Sequence, residues 1–471
     1  MLATNLTALT GADIPGVADA DDLVAGLDTA LAHGLGRVDD ERAAALAAFA
    51  GAFAGSPLGD PLTEAVGKVV AGSVGDEHLA ALAGGRAALL GAAHDALRGH
   101  LDAALGRTRQ AWQPPAGASA APGGLDNLLA GTRSWLRELV ITGWRGVDHD
   151  IVSTAGQVIS ALLAVPAARR LAVLLDGLAA ELRVASPVST MPHVPLRRWG
   201  DLWSRATLLA HDAGWAATPD PVATVSGRLL VLGVDVHEHS TAVQAQVHGV
   251  LEVAGTEPRL VRASVGATKT DTIVGPAVWR LFGDAPVLKA ALADRRVLEL
   301  TDVPLLASGD LLWRDGQARA GEPADPFATA RVLLAGAVAP AVPPLDRHPV
   351  ALAEPVLLEG YRAEATEAGG LAFDLGGARV AVAVDRLPSC GPLTADLVAA
   401  SSACLGLLRW DAGAWSLQPL AVQAIVKKKP VGAHNGDWAE GVTDAKAAKA
   451  YAAAGDSFSV LRERAGRLLR T

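Results

Sequence analysis

From Val17 to Trp215 apolar residues recur at helical spacing almost without interruption, most plainly between Asp76 and Leu105. There Leu82, Leu89, Ala93, Leu97, Leu101 and Leu105 fall along one stripe, the i, i+3, i+4 pattern of an amphipathic helix. Turn-forming clusters interrupt the pattern at GSPLGDP from Gly55, QPPAGASAAPGG from Gln113 and VASPVSTMPHVP from Val184. They divide the region into roughly seven or eight helices. Residues 1–215 are therefore expected to form an all-α helical bundle.

The period then changes. A Pro-containing linker, residues 216–226, leads into a stretch where Leu230, Leu232, Val234 and Val236 alternate with other residues. Val243, Ala245, Val247, Gly249 and Leu251 repeat the alternation after a turn, so the two runs predict a β-hairpin. Further hairpins are expected between Gly360 and Asp385, and at LGLLRWDAGAWSLQPLAV with its Asp411-Ala412-Gly413 turn. VGPAVWRLFGDAPVLKAALA from Val274 and DPFATARVLLAGAVA from Asp325 read as helices between them. The chain is thus expected to be α+β and multidomain. A β-rich, small barrel-like domain with helical insertions spans 227–426, and a basic linker with a C-terminal helix spans 427–471.

The first hairpin carries the densest chemistry, VLGVDVHEHSTAVQAQVHGVLE from Val231 to Glu252. Residues two apart on a strand share a face, so Asp235, His237 and His239 point one way. Gln244, Gln246 and His248 share a face on the returning strand. Where the two polar faces coincide, Asp235, His237, His239 and His248 form a ligand set suited to zinc or iron, the basis for a metal-dependent hydrolase. Alternation alone also explains these residues, because a strand covered on one side turns polar groups to water on the other. His-Asp pairs at His94, His149 and His211 suggest a second metal arrangement, but neighbours on a helix diverge by about 100° and His94 lies on the Leu97/Leu101 stripe.

Two basic features suggest partner contacts. Arg197 and Arg198 stand at the start of a helix whose Trp199 and Trp203 lie on its apolar stripe, where the helix dipole disfavours cations. They call for acidic neighbours or a partner. Lys427, Lys428 and Lys429 precede a proline and read as a solvated hinge or an electrostatic contact.

Composition narrows the function classes. At 471 residues, half of them hydrophobic and 19% charged, the chain is long enough for two or three well-packed domains. The net charge of −9 argues against nucleic acid as the main partner, although residues 427–471 carry nine Lys and Arg against five Asp and Glu. Cys390 and Cys404 are too few for a disulfide framework and fit a reducing compartment. The segment MLATNLTALTGADIPG lacks the basic start and apolar core of a signal peptide, and the run from Ile151 reads as a buried helix rather than a span. A cytoplasmic, soluble protein without membrane contact is expected. Phosphate-loop, dinucleotide, nucleophile-elbow and zincin motifs are missing: AGSVG at Ala71 has Ala where the elbow needs Gly, and GLGRVDD at Gly34 lacks a third glycine.

Three stretches, PLRRWGDLWSRATLL, GRLLVLGVDVHEHSTAVQAQVHGVLE and LLRWDAGAWSLQPLAV, carry a resemblance. Over roughly the second half of the chain they look like an uncharacterised actinobacterial family found in gene neighbourhoods with MoxR-type AAA+ ATPases, von Willebrand factor A (vWA) domain proteins and SWIM zinc-finger proteins. The SWIM cysteines and histidine are themselves missing. The resemblance implies an accessory role beside an ATPase or a vWA protein. The expectation is a non-enzymatic scaffold or adaptor without a cofactor. A single-stranded nucleic-acid binder built on an oligonucleotide-binding type of barrel with the basic tail, and a metal-dependent hydrolase using His237, His239 and His248, with zinc as its cofactor, are the alternatives.

Overall fold

The computed structural model describes residues 1–11, 13–113, 124–212, 221–239, 241–366, 369–426 and 428–454. The fold is α+β, with helices in the N-terminal half and two β-sheets in the C-terminal half. The helical half comprises α1 (Ala3–Thr10), α2 (Val17–His33), α3 (Asp40–Gly51), α4 (Gly59–Val70), α5 (Asp76–Leu105), α6 (Asp126–Thr142), α7 (His149–Leu163), α8 (Arg169–Ala185) and α9 (Leu196–His211). Local signals fix several ends: Asp39 accepts from the amide of Arg42 to cap α3, and Asp148 caps α7. The stripe on α9 is core, as its spacing predicts. Trp199 and Trp203 are fully buried, and Trp144 meets Trp199 edge to face at 6.2 Å.

Helix α5 organises the molecule. Its 30 residues make a rod about 45 Å long at 1.5 Å per residue. Leu79, Leu82 and Ala83, near its start, belong to the helical core. Ala93, Leu97 and Leu101 belong to another core, shared with Leu6 and Leu9 of α1 and with Val356, Phe373 and Leu408 from the far end of the chain. One predicted stripe thus serves two cores.

The β half begins with β1 (Ala223–Glu238), β2 (Ala242–Glu252) and β3 (Arg259–Thr268), followed by α10 (Pro286–Ala293), β4 (Arg296–Leu305), β5 (Asp310–Leu311) and β6 (Ala318–Pro323). Helix α11 (Pro326–Leu333) leads to β7 (Glu354–Glu359), β8 (Arg362–Ala365), β9 (Leu371–Leu375), β10 (Ala378–Val382), α12 (Ala395–Ala399), β11 (Ser401–Asp411), β12 (Ala414–Val426), β13 (Lys429–His434) and α13 (Ala445–Ala454). The three expected hairpin regions all form strands. The Ala412 and Gly413 turn has positive φ at both residues, the geometry a tight two-residue hairpin requires.

The single barrel-like unit expected for 227–426 is instead two sheets of six and seven strands, and neither is a closed barrel. In the first, strands run in the order β1-β2-β3-β5-β4-β6, with β1 also pairing β4. Strand β5 is only two residues long and meets β4 at one position, so the path from β3 to β4 is held by few pairings and no continuous barrel closes there. The second sheet repeats the arrangement. Strands β7 and β8, separated only by Gly360 and Tyr361, pair β11 and β9 respectively, and the path β8-β9-β10-β12-β11-β7 follows. Third and fifth strands are parallel in both units (β3 with β5, β10 with β12), and a helix lies between third and fourth strands in both. Strand β13 adds to β12 in the stretch that reads from sequence as linker.

The two sheets pack on each other. Leu232, Val250 and Leu260 of the first meet Leu357, Leu405 and Ala421 of the second, with Phe327 of α11 wedged beside them. Gly233 permits a close approach: a Cβ there would lie 2.8 Å from Cβ of Leu420.

Candidate functional site

The polar row of the first hairpin sits on this inter-sheet face. The β1–β2 register sets Asp235 opposite Gln246 and His237 opposite Gln244, so the two polar faces do coincide. A register shift between Val231 and Gly233 places His248 opposite Gly233. Contrary to a wet outer face, Asp235 is 1% exposed, because the second sheet covers it.

Asp235 is saturated with donors. Arg409 Nη2 donates to its Oδ2 at 2.6 Å, Gln418 Nε2 to its Oδ1 at 2.7 Å, and His237 Nε2 lies 2.7 Å from Oδ2. Arg409 Nε also donates to Gln418 Oε1, which closes the triangle. Burial alone would raise the carboxyl, but the His237 hydrogen bond and the His237 and Arg409 charges outweigh it and hold it down to about 2. His239 lies at the strand end, with Nδ1 3.5 Å from the Thr241 hydroxyl, and His237 is about half exposed. Among the described residues no group of three or more His, Cys, Asp or Glu is placed to hold a metal ion. The ligand set expected at Asp235, His237, His239 and His248 is therefore not assembled: Asp235 is turned to Arg409, and His248 faces a different space.

That space is a cleft of about 430 Å³ where the helical half, the first sheet and residues 339–355 meet. His248 lines it, 1% exposed, and its Nε2 has no hydrogen-bond partner. Burial first, then the charge of Arg262 across the sheet, pushes the imidazole down to about 3, so it is neutral. Arg98 of α5, Arg170 of α8, Arg205 of α9 and Arg262 of β3 bring four guanidinium groups to the walls. Each leans on a carboxylate: Arg98 on Glu354 at 3.0 Å, Arg170 on Asp346 at 2.7 Å, Arg205 on Asp201 at 3.4 Å and Arg262 on Asp310 at 2.8 Å. Prolines 340, 343 and 355 supply apolar wall.

On the cleft wall, Glu354 is 2% exposed and holds three arginines, with Arg107 at 2.6 Å and Arg109 at 3.4 Å beside Arg98. This fastens the start of the second sheet to α5 and the segment after it. A comparable pair lies inside the helical half, where Arg86 donates to both oxygens of buried Asp28 at 2.8 and 3.0 Å.

Arg197 and Arg198 both have acidic neighbours within the chain. Arg197 pairs with Asp21 at 2.9 Å, and Arg198 binds the Glu181 carboxylate through Nε and Nη2. Lys428 and Lys429 are exposed, Lys428 with φ of 66°, while Lys427 lies outside the described residues. The His-Asp pairs fall on separate helices. His94 is buried on α5, with Nδ1 3.0 Å from Asp95, whereas His149 starts α7 and His211 ends α9. Cys390 and Cys404 are buried and free, and burial pushes both thiols up, Cys390 to about 12.

No family model matches the chain, and neither a curated protein nor a solved structure is found similar to it. Arg409, Gln418, Glu354 and the cleft arginines carry no signal in the sequence. Asp235 and Arg409 are 174 positions apart, Arg98 and Glu354 are 256 apart, and an isolated Arg bears no local mark of its partner.

Proposed function

We propose that this chain is a non-enzymatic scaffold, one body made of a helical layer and two β units of the oligonucleotide-binding (OB) type, which acts by presenting surfaces to partner proteins. The strand order 1-2-3-5-4, the parallel third and fifth strands and the intervening helix support the OB-type reading of both units, since that fold is a partly open five-stranded barrel. The observation that carries the scaffold function is the use of the buried charges. Asp235 with Arg409 joins sheet to sheet, and Glu354 with Arg98, Arg107 and Arg109 joins the second sheet to the helices. A catalytic acid or base must be open to its substrate, whereas these carboxylates are saturated by arginines from neighbouring units.

Resemblance to the actinobacterial family supports a MoxR-type AAA+ ATPase or a vWA-domain protein as partner. The test is co-elution of the purified chain with the ATPase and the vWA protein encoded beside it, at micromolar concentration and physiological salt. A complex of fixed stoichiometry with either is expected, and separate elution of all three overturns the proposal. The OB-type strand order also favours a second reading, single-strand nucleic-acid binding. Against it, the described residues that line the cleft include no Phe, Tyr or Trp to stack a base. Titration with single-stranded DNA at two salt concentrations decides: tight binding that weakens steeply with salt replaces the scaffold by this function.

A further inference from the structure

We propose that the cleft between α5, α8, α9 and the first sheet is a binding site for a small phosphate ester, a role that goes beyond scaffolding. Its geometry is that of a ligand site: a concavity where separate units meet, with arginines, carboxylates, His248 and Ser308 set among apolar walls. Arg98, Arg170, Arg205 and Arg262 come from four different elements and line it beside Asp310, Asp346 and Glu354, so the arginines outnumber the lining carboxylates although the chain as a whole is acidic. Each guanidinium offers five N–H donors in a planar fork, and its carboxylate partner takes only part of them. A phosphate monoester presents three oxygens and close to two negative charges, enough to engage more than one fork at once.

Two atoms mark the site as incomplete. His248 Nε2 is buried without a partner, and so is Nε of Arg98. Buried polar groups are almost always satisfied, and both side chains line the cleft, so a modest side-chain movement on binding would bring these two covered atoms to a ligand there. Neutral His248 donates or accepts according to its tautomer, so it suits an ester or hydroxyl oxygen beside the phosphate. Ser308, on the turn between β4 and β5, adds a hydroxyl at the rim, held 2.6 Å from Asp310. The cleft is larger than phosphate alone needs, and its proline wall suits an organic body.

A free small-molecule ester and the 5′-phosphate of a nucleic-acid strand present the same chemistry. Calorimetric titration of the full chain separates them, using adenosine monophosphate against adenosine, and a 5′-phosphorylated ten-nucleotide oligo-dT against the unphosphorylated strand. Phosphate-dependent binding of the mononucleotide assigns a free ester, and phosphate-dependent binding of the strand alone assigns a strand end; both support the site. Arg262→Gln and Arg205→Gln are expected to weaken binding at least tenfold, and the two variants guard against one failing to fold. The His248 ring nitrogens should shift in a long-range ¹H–¹⁵N spectrum on titration. The proposal is overturned by no binding of either phosphorylated probe, by equal binding without the phosphate, by affinity unchanged in both variants, or by an unmoved His248 spectrum at saturation.

Discussion

Arg409 reaches from β11 across the sheet interface to place Nη2 2.6 Å from Oδ2 of Asp235 on β1, and neither side chain is open to water. Breaking a buried pair from one side leaves an uncompensated charge. Asp235→Ala is therefore expected to destabilise by about 3–5 kcal/mol, measured by urea denaturation. The double variant Asp235→Ala with Arg409→Met removes both charges and should recover much of that loss. A single variant within about 0.5 kcal/mol of the parent would contradict the contact.

Acid should loosen the molecule through three buried histidines. Burial pushes His248 down to about 3, and His348 and His434 down to about 4. Their unfolded value is near 6.5, so between that pH and the folded values the unfolded chain holds more protons than the folded one. Their contribution is fully present above about pH 6.5 and is lost as pH falls, by about 2 kcal/mol for each histidine between pH 7 and 5. Asp235, held near 2, keeps its share until the solution is far more acidic. Denaturation midpoints at pH 7, 6 and 5 check the slope, and His434→Gln should flatten it.

Gly233 tests how tightly the sheets meet. A methyl group there collides with the Leu420 side chain in an interface already filled. Gly233→Ala should cost about 1–3 kcal/mol, and Gly233→Val more. Gly316, where a Cβ would stand in open space, is the control and should tolerate Ala with little change.

Glu354 concentrates three positive charges on one buried carboxylate. Glu354→Ala should destabilise by about 3–5 kcal/mol, and Glu354→Gln should retain part of the hydrogen bonding and lose less. Hydrogen exchange should show the loss at β7 and the second half of α5 together, because both lean on the same group.

What can be read from the chain is what periodicity encodes. The α5 stripe, the Trp199/Trp203 face and the alternation of β1 and β2 each predict an element that the fold contains. What stays hidden depends on pairing over distance. The polar row at Asp235 suggests water or metal because polar residues on a strand usually face outward, and nothing local announces a second sheet bearing Arg409 and Gln418. Strand β13 reads as a hinge for a related reason: Lys429 and Pro430 are what an exposed edge strand carries to discourage further pairing, and the same residues punctuate linkers. Duplication of the strand order is invisible because β5, β8 and β10 have only two, four and five residues, too few for a periodic signal.

The divided duty of α5 governs how the chain is made. As it leaves the ribosome, Leu97 and Leu101 are synthesised long before Leu352, Val356 and Phe373, the residues that cover them. Half of a finished helix must wait, greasy side out, while both sheets are still being translated. Trimming at the change of period near residue 216 would leave that surface uncovered for good, giving a fragment prone to aggregate and a β half deprived of part of its own core.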